Sequence, residues 1–204
     1  MPIKTILSVS MPGQPDDDIR AAAQFCAECN AHLTLVLAGI ATPPPAGEYS
    51  AELTIEWQEL RRIELRALAE RKRHAQAILE RLEISFDIAA EYVGPAGLAD
   101  AMGLRARYCD LVLLHRGALS AKDTASALLA GCLFQSARPV LLMPVGAKAM
   151  PRPGNVMIAW DSGLESARAV LAALEIMSGA RAVRIAIVDP AASSARDGAE
   201  PGAD

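Results

Sequence analysis

Residues 111–144 read LVLLHRGALSAKDTASALLAGCLFQSARPVLLMP. An apolar run ends at His115, Arg116 and Gly117. A helix-compatible stretch then carries Gly131 and Cys132, and a proline opens the next apolar run. A glycine-bearing loop between a strand and a helix lets backbone N–H groups come close to a phosphate. His115 and Arg116 add the charge to attract an anion. Covalent or metal chemistry is less well served. GALSAKDT lacks a second glycine before Lys122, and Asp123 stands where a nucleotide-binding loop has Ser or Thr. No serine or cysteine is well placed to act as a nucleophile beside His115. Cys26 and Cys29 have redox spacing but fall near the end of a helix, where no N-terminal dipole supports a thiolate, so they read as small buried hydrophobes. Cys109 and Cys132 form no second close pair, so no metal site is expected. His32 reads as a strand-edge histidine and His74 as a helix-surface one. Trp57 reads as a packing anchor and Trp160 as part of a buried strand.

The elements that must position these residues follow from composition and periodicity. The chain has 204 residues, 52% of them apolar but only 4% aromatic, so its core is built from Ala, Leu, Val and Ile. A net charge of −4 excludes a broad basic surface, and no nucleic-acid partner is expected. The cluster at Arg71, Lys72 and Arg73 reads as a solvated helix face. No apolar run approaches the roughly 20 residues that span a bilayer. MPIKTILSVS lacks a cleavage site and reads as a first strand. The expectation is a cytoplasmic protein with reduced thiols.

Strands are predicted at 3–10, 32–38, 84–92, 110–114 and 140–143, and helices at 19–29, 98–108 and 124–137. The charged segment 52–82 reads as one or two amphipathic helices. Strands that alternate with helices specify an α/β fold with an open, doubly wound parallel sheet. Ligands in such sheets lie beyond the strands' carboxyl ends. Those ends fall at Met11, residues 38–40, residues 92–94 and residues 115–117. Residues 145–154 carry two prolines and two glycines and read as a linker. NVMIAWDSGLESARAVLAALEIMSGARAVRIAIVDP then repeats the strand–turn–helix–strand order of the first forty residues. The domains are thus a complete unit at 1–144, a linker at 145–154, a partial second copy at 155–190 and a polar tail at 191–204. A second copy that stops after two strands and one helix suggests a truncated product.

Three stretches together resemble the universal stress protein family: CDLVLLHRG, GCLFQSARPVLLMP and NVMIAWDSGLESARAVLAAL. Their order resembles the tandem-unit members over nearly the whole chain. The resemblance implies a five-stranded parallel sheet of the adenine-nucleotide alpha-hydrolase type, a non-catalytic stress-response role, pairing through the fifth strand and, in one branch, ATP binding. That branch carries a G-x2-G-x9-G motif followed by Ser or Thr. Here Leu114 stands at the first glycine position and Gly117 at the second. Gly131 is the third, but thirteen residues intervene instead of nine, and Cys132 replaces the hydroxyl residue. Met11 stands where the family has an adenine-side aspartate. Leu114 blocks close approach of an anion, and a thiol is a weak donor. The first unit is therefore expected to keep the fold with a degenerate nucleotide site.

In the second unit the resemblance places Asp161 at the adenine-contacting position, with Ala159 and Val188 near the same pocket. ATP or AMP would be the ligand. A helix-capping role for Asp161 or Ser162 stands beside this reading. The fifth strand, Val140, Leu141, Leu142 and Met143, is the expected edge for self-association. An enzyme on the same topology would need a catalytic set at the strand ends, where the sequence offers only His115 and Arg116. A purely structural dimerisation module is the third reading.

Overall fold

The computed structural model describes residues 3–45, 51–120, 122–144, 146 and 154–188. It divides into two compact units, one within Ile3–Met150 and the other within Pro151–Asp204. The linker at 145–154, apart from residues 146 and 154, lies outside the described residues, as does the tail at 191–204.

In the larger unit, strands β1 (Thr5–Ser10), β2 (His32–Ile40), β3 (Phe86–Val93), β4 (Leu111–His115) and β5 (Val140–Met143) form one sheet in the order β3-β2-β1-β4-β5. Every pairing is parallel. Parallel neighbours need crossovers. These are supplied by α1 (Asp16–Cys29), α2 (Ala51–Leu79), α3 (Leu98–Ala106) and α4 (Lys122–Ala130). The open, doubly wound α/β architecture expected from the sequence is present.

Alternation along the strands divides the core. Leu7, Val9, Val36, Ala38, Val112 and Leu114 pack against Leu98, Met102 and Ala106 of α3 and Leu128 of α4. The opposite face takes α1 and α2. Phe25 and Ile19 of α1 and Leu79 of α2 are among the largest fully buried side chains. Helix α1 starts three residues before the sequence expectation. Its first turn is Asp16, Asp17 and Asp18, which favour the positive end of the helix. Asn30 at φ 50° ends it in the left-handed conformation.

α2 is a single helix of 29 residues. Arg71 fixes it to the sheet. Its side chain is only 9% exposed and donates to Asp16 Oδ1 at 2.6 Å, Ser10 Oγ at 3.1 Å and the Pro15 carbonyl at 3.2 Å. Nearer the start of α2, Trp57 Nε1 donates to the Thr42 carbonyl at 2.9 Å, and the Arg61 guanidinium lies 5.7 Å from the Trp57 ring centroid. Trp57 is partly buried and tied to the loop after β2 rather than packed into the core.

Asp110 joins β1 to β4. Its Oδ2 accepts from Lys4 N–H at 2.9 Å, Thr5 N–H at 2.9 Å and Thr5 Oγ1 at 3.0 Å. Burial works to raise its pKa, but these hydrogen bonds hold the carboxyl below the usual range. The stability it adds is therefore present above the unfolded-state value of about 3.9 and is lost as pH falls through the folded value.

The smaller unit has β6 (Asn155–Ala159), α5 (Leu164–Met177) and β7 (Ala182–Ala186), with β6 and β7 parallel. None of its described residues is buried. Trp160, expected in the core, is half-exposed.

Asp110→Ala should lower stability by about 2 kcal/mol, since three donors lose a charged acceptor. It should also flatten the fall in stability below pH ~4. Urea midpoints of the two proteins at pH 7 and pH 3.5 check both effects.

Candidate functional site

The strand order reverses between β1 and β4, so the crevice beyond their carboxyl ends is where a ligand would enter such a sheet. Its walls come from the turn after β1, the start of α1 and the 3-10 turn Arg116–Leu119 after β4.

On the β1 side, Met11 N–H donates to Gln14 Oε1 at 3.0 Å, and the Met11 side chain packs on the core cluster. The residue after β1 is thus Met11 and not a carboxylate. On the β4 side, Leu114 is fully buried in the same cluster. Gly131 serves packing: a Cβ there would lie 2.2 Å from the Ala99 carbonyl oxygen of α3. Cys132 is buried beside it, and burial pushes its thiol up to about 12. It stays a neutral thiol. At Gly117 a Cβ would lie 3.3 Å from Asp18 Oδ2. A carboxylate oxygen thus stands against the loop glycine that, in an anion-binding loop, would face a phosphate.

His115 ends β4 and is 2% exposed. Both ring nitrogens lack a hydrogen-bond partner, as do Asp18 Oδ2 and Arg71 Nε. Burial lowers the His115 pKa, and the Asp18 charge opposes that shift. Nearby, Asp16 Oδ2 lies 2.7 Å from His74 Nε2. Burial raises the Asp16 pKa, but hydrogen bonds from His74 and Arg71 more than offset it, and the carboxyl lies below its usual range.

The sequence singled out His115 but missed Asp18. The signal available was the acidic run at 16–18. In a helix those three residues point in different directions, so one of them turns inward. Arg116 is exposed. Cys26 is buried with its thiol pushed up to about 12, and Cys109 with its thiol pushed up to about 11. Neither is poised for thiolate chemistry.

In the smaller unit, Ala159 and Asp161 lie at the carboxyl end of β6, and Val188 lies beyond the end of β7. Asp161 is exposed. Its Oδ1 accepts the Gly163 N–H at 2.8 Å, which holds the turn before α5. Hydrogen bonds from Ser166 and from the Gly163 N–H keep the carboxyl below its usual range. Ser162 has φ 63°, and Gly163 occupies the N-cap position. Val188 is 89% exposed. Among the described residues, no group of His, Cys, Asp and Glu side chains could hold a metal ion. No described helix is long and apolar enough to cross a membrane.

His115 should make the fold acid-sensitive. Its folded pKa lies below the unfolded value of about 6.5, so the unfolded chain takes up the proton first. Stability should fall as pH drops from 7 through 6.5 towards the folded value. His115→Leu should remove this component and cost less than ~1 kcal/mol at pH 7.5, because no hydrogen bond is lost. The difference between the two stability–pH curves isolates His115 from His32 and His74. Identical slopes would exclude it.

No protein-family model matches the chain, and no curated protein matches it. Solved structures do. Universal stress protein UspA from Lactobacillus plantarum is 16% identical with a TM-score of 0.50, and the match covers 70% of this chain and 99% of that one. A member of the universal stress protein family from Burkholderia pseudomallei is 21% identical with a TM-score of 0.41, covering 70% and 97%. A universal stress protein in complex with cAMP is 20% identical with a TM-score of 0.36, covering 71% and 98%. At these identities the likeness is one of fold. The five-stranded doubly wound sheet of this chain has the universal stress protein fold.

Proposed function

We propose that this chain is a non-catalytic, cytoplasmic stress-response protein of the universal stress protein type. Its first unit keeps the fold with a degenerate nucleotide site, and its second unit, where complete, is the adenine-nucleotide binder, through Asp161, Ala159 and Val188. The observation that supports this reading is the approach of Asp18 Oδ2 to the loop glycine Gly117. An anion there would meet a carboxylate at close range. Leu114 belongs to the core, Gly131 is committed to α3, and Cys132 offers a protonated thiol in place of a hydroxyl. The non-catalytic reading is supported by His115, whose buried ring nitrogens have no hydrogen-bond partner among the described residues. In the second unit Asp161 is ionised, exposed and anchored at one oxygen, as an acceptor for an adenine amino group should be.

Self-association belongs to the same proposal. β5 is the outer strand of the sheet, and Leu142 on it is 53% exposed. An apolar outer strand invites pairing with another chain, and two copies meeting along it give a two-fold dimer.

Calorimetry of ATP binding to the full chain tests the nucleotide reading. Asp161→Ala should weaken binding tenfold to a hundredfold, since a charged hydrogen-bond partner is worth about 1.5–3 kcal/mol. Asp161→Asn keeps an acceptor for Gly163 and should show the same loss if charge is what matters. Unchanged binding in both would reduce Asp161 to a turn-holding residue.

Light scattering at tens of micromolar tests association. The expected species is a dimer, with Leu141→Lys shifted to monomer. A monomeric parent would refute pairing through β5.

A further inference from the structure

The nine residues of α3 lie over β1 and β4, where Leu98, Met102 and Ala106 meet Leu7, Val9 and Leu114. On the same face, the amino halves of β2 and β3 are left open. The result is a groove of about 580 Å³, within the range of small-molecule sites. Thr34 and Asp87 on its floor are register partners at this amino half, at the opposite end of the strands from the crevice described above.

The floor presents one fixed carboxylate. Asp87 Oδ1 lies 2.7 Å from His32 Nε2 and accepts from Thr34 Oγ1 at 2.8 Å. His32 Nδ1 is in turn 2.7 Å from Ser85 Oγ. This chain of contacts sets the carboxylate's direction, and Asp87 Oδ2 has no donor among the described residues. The second carboxylate of the groove is already answered. Glu91 Oε1 accepts from Arg105 Nε at 2.6 Å and also pairs with Arg105 Nη2. Among the described residues Asp87 pairs with His32 and with no lysine or arginine, so with His32 neutral the groove keeps one uncompensated carboxylate. Its wall is apolar and aromatic: Leu104 is 53% exposed and Tyr108 is 81% exposed.

We propose that this groove binds a small organic ammonium, an amine carried on an apolar or aromatic body. The ammonium donates to Asp87 Oδ2. The body covers Leu104 and the Tyr108 ring, whose face attracts a cation. An anion is disfavoured because Arg105 is committed to Glu91. A metal ion is disfavoured because no set of three ligating side chains is assembled there among the described residues. The proposal is independent of any nucleotide site, since it uses other residues at the other end of the strands.

Phenethylamine is the probe, with phenethyl alcohol as its neutral isostere. Each is titrated into the full chain by calorimetry, and the ring contacts are followed by saturation-transfer NMR. The expected result is saturable one-site binding of the amine, with the alcohol at least tenfold weaker. Asp87→Asn, an isosteric change at a half-exposed residue, should weaken the amine at least tenfold. Leu104→Arg, at an exposed position, should abolish binding while the circular dichroism stays native. Absence of saturable amine binding overturns the proposal. So does equal binding of amine and alcohol, or binding that either substitution leaves unchanged.

Discussion

The hydrogen bonds of Asp110 to the start of β1 set the geometry on which the rest depends. The carboxylate takes the Lys4 and Thr5 amides and the Thr5 hydroxyl. The Asp110 amide returns to the Thr5 carbonyl at 2.9 Å. Ile6, Leu7 and Ser8 then pair with Leu111, Val112 and Leu113. With that register fixed at the amino end, the carboxyl end follows. His115 and Gly117 must arrive beside the start of α1, and Leu114 must face α3. A different pairing would turn the polar end of β4 away from Asp18.

Within that frame the residues around this loop serve packing. Gly131 allows α3 to approach, Leu114 and Cys132 are core, and Asp18 Oδ2 lies against Gly117. What remains is a small polar set, Asp18, His115 and Arg71, with unpartnered atoms inside a packed shell. Buried polar groups without partners are costly, and their survival here marks the place where the fold carries polarity that packing alone would not select.

Much of the scaffold could be read directly. The apolar run at 111–114 lies in β4, which is buried on both faces as continuous apolarity suggests; the run at 140–143 is β5, but as the outer strand it leaves Leu142 exposed. The sequence hides the start of α1, because Asp16 to Asp18 read as a turn although they form the first helical turn at the positive end. Whether 52–82 held one helix or two was settled by Arg71 and Trp57, whose contacts lie far away in sequence. The Asp18–His115 neighbourhood was illegible for the same reason: only the strand order brings the two together. The His32–Asp87 contact was hidden as well, since it depends on the β2–β3 register. Trp160 shows a different limit. A strand pattern predicts burial only where something covers the strand, and within its own unit the described neighbours of β6 are α5 and β7.

The strand order also has a consequence for how the chain is made. β1 is central, yet its neighbour β4 is joined to it by contacts such as Lys4 to Asp110, separated by 106 residues. Loop closure on that scale is entropically costly and slow. During synthesis β1, β2 and β3 leave the ribosome as a three-stranded ribbon, and one edge of β1 stays bare until β4 emerges. That edge carries Ile6, Leu7 and Val9, all fully buried in the finished protein. For that interval the nascent chain presents the kind of surface that holding chaperones bind. Seating β4 along β1 then covers that edge, and β5 can pair only after it, on β4.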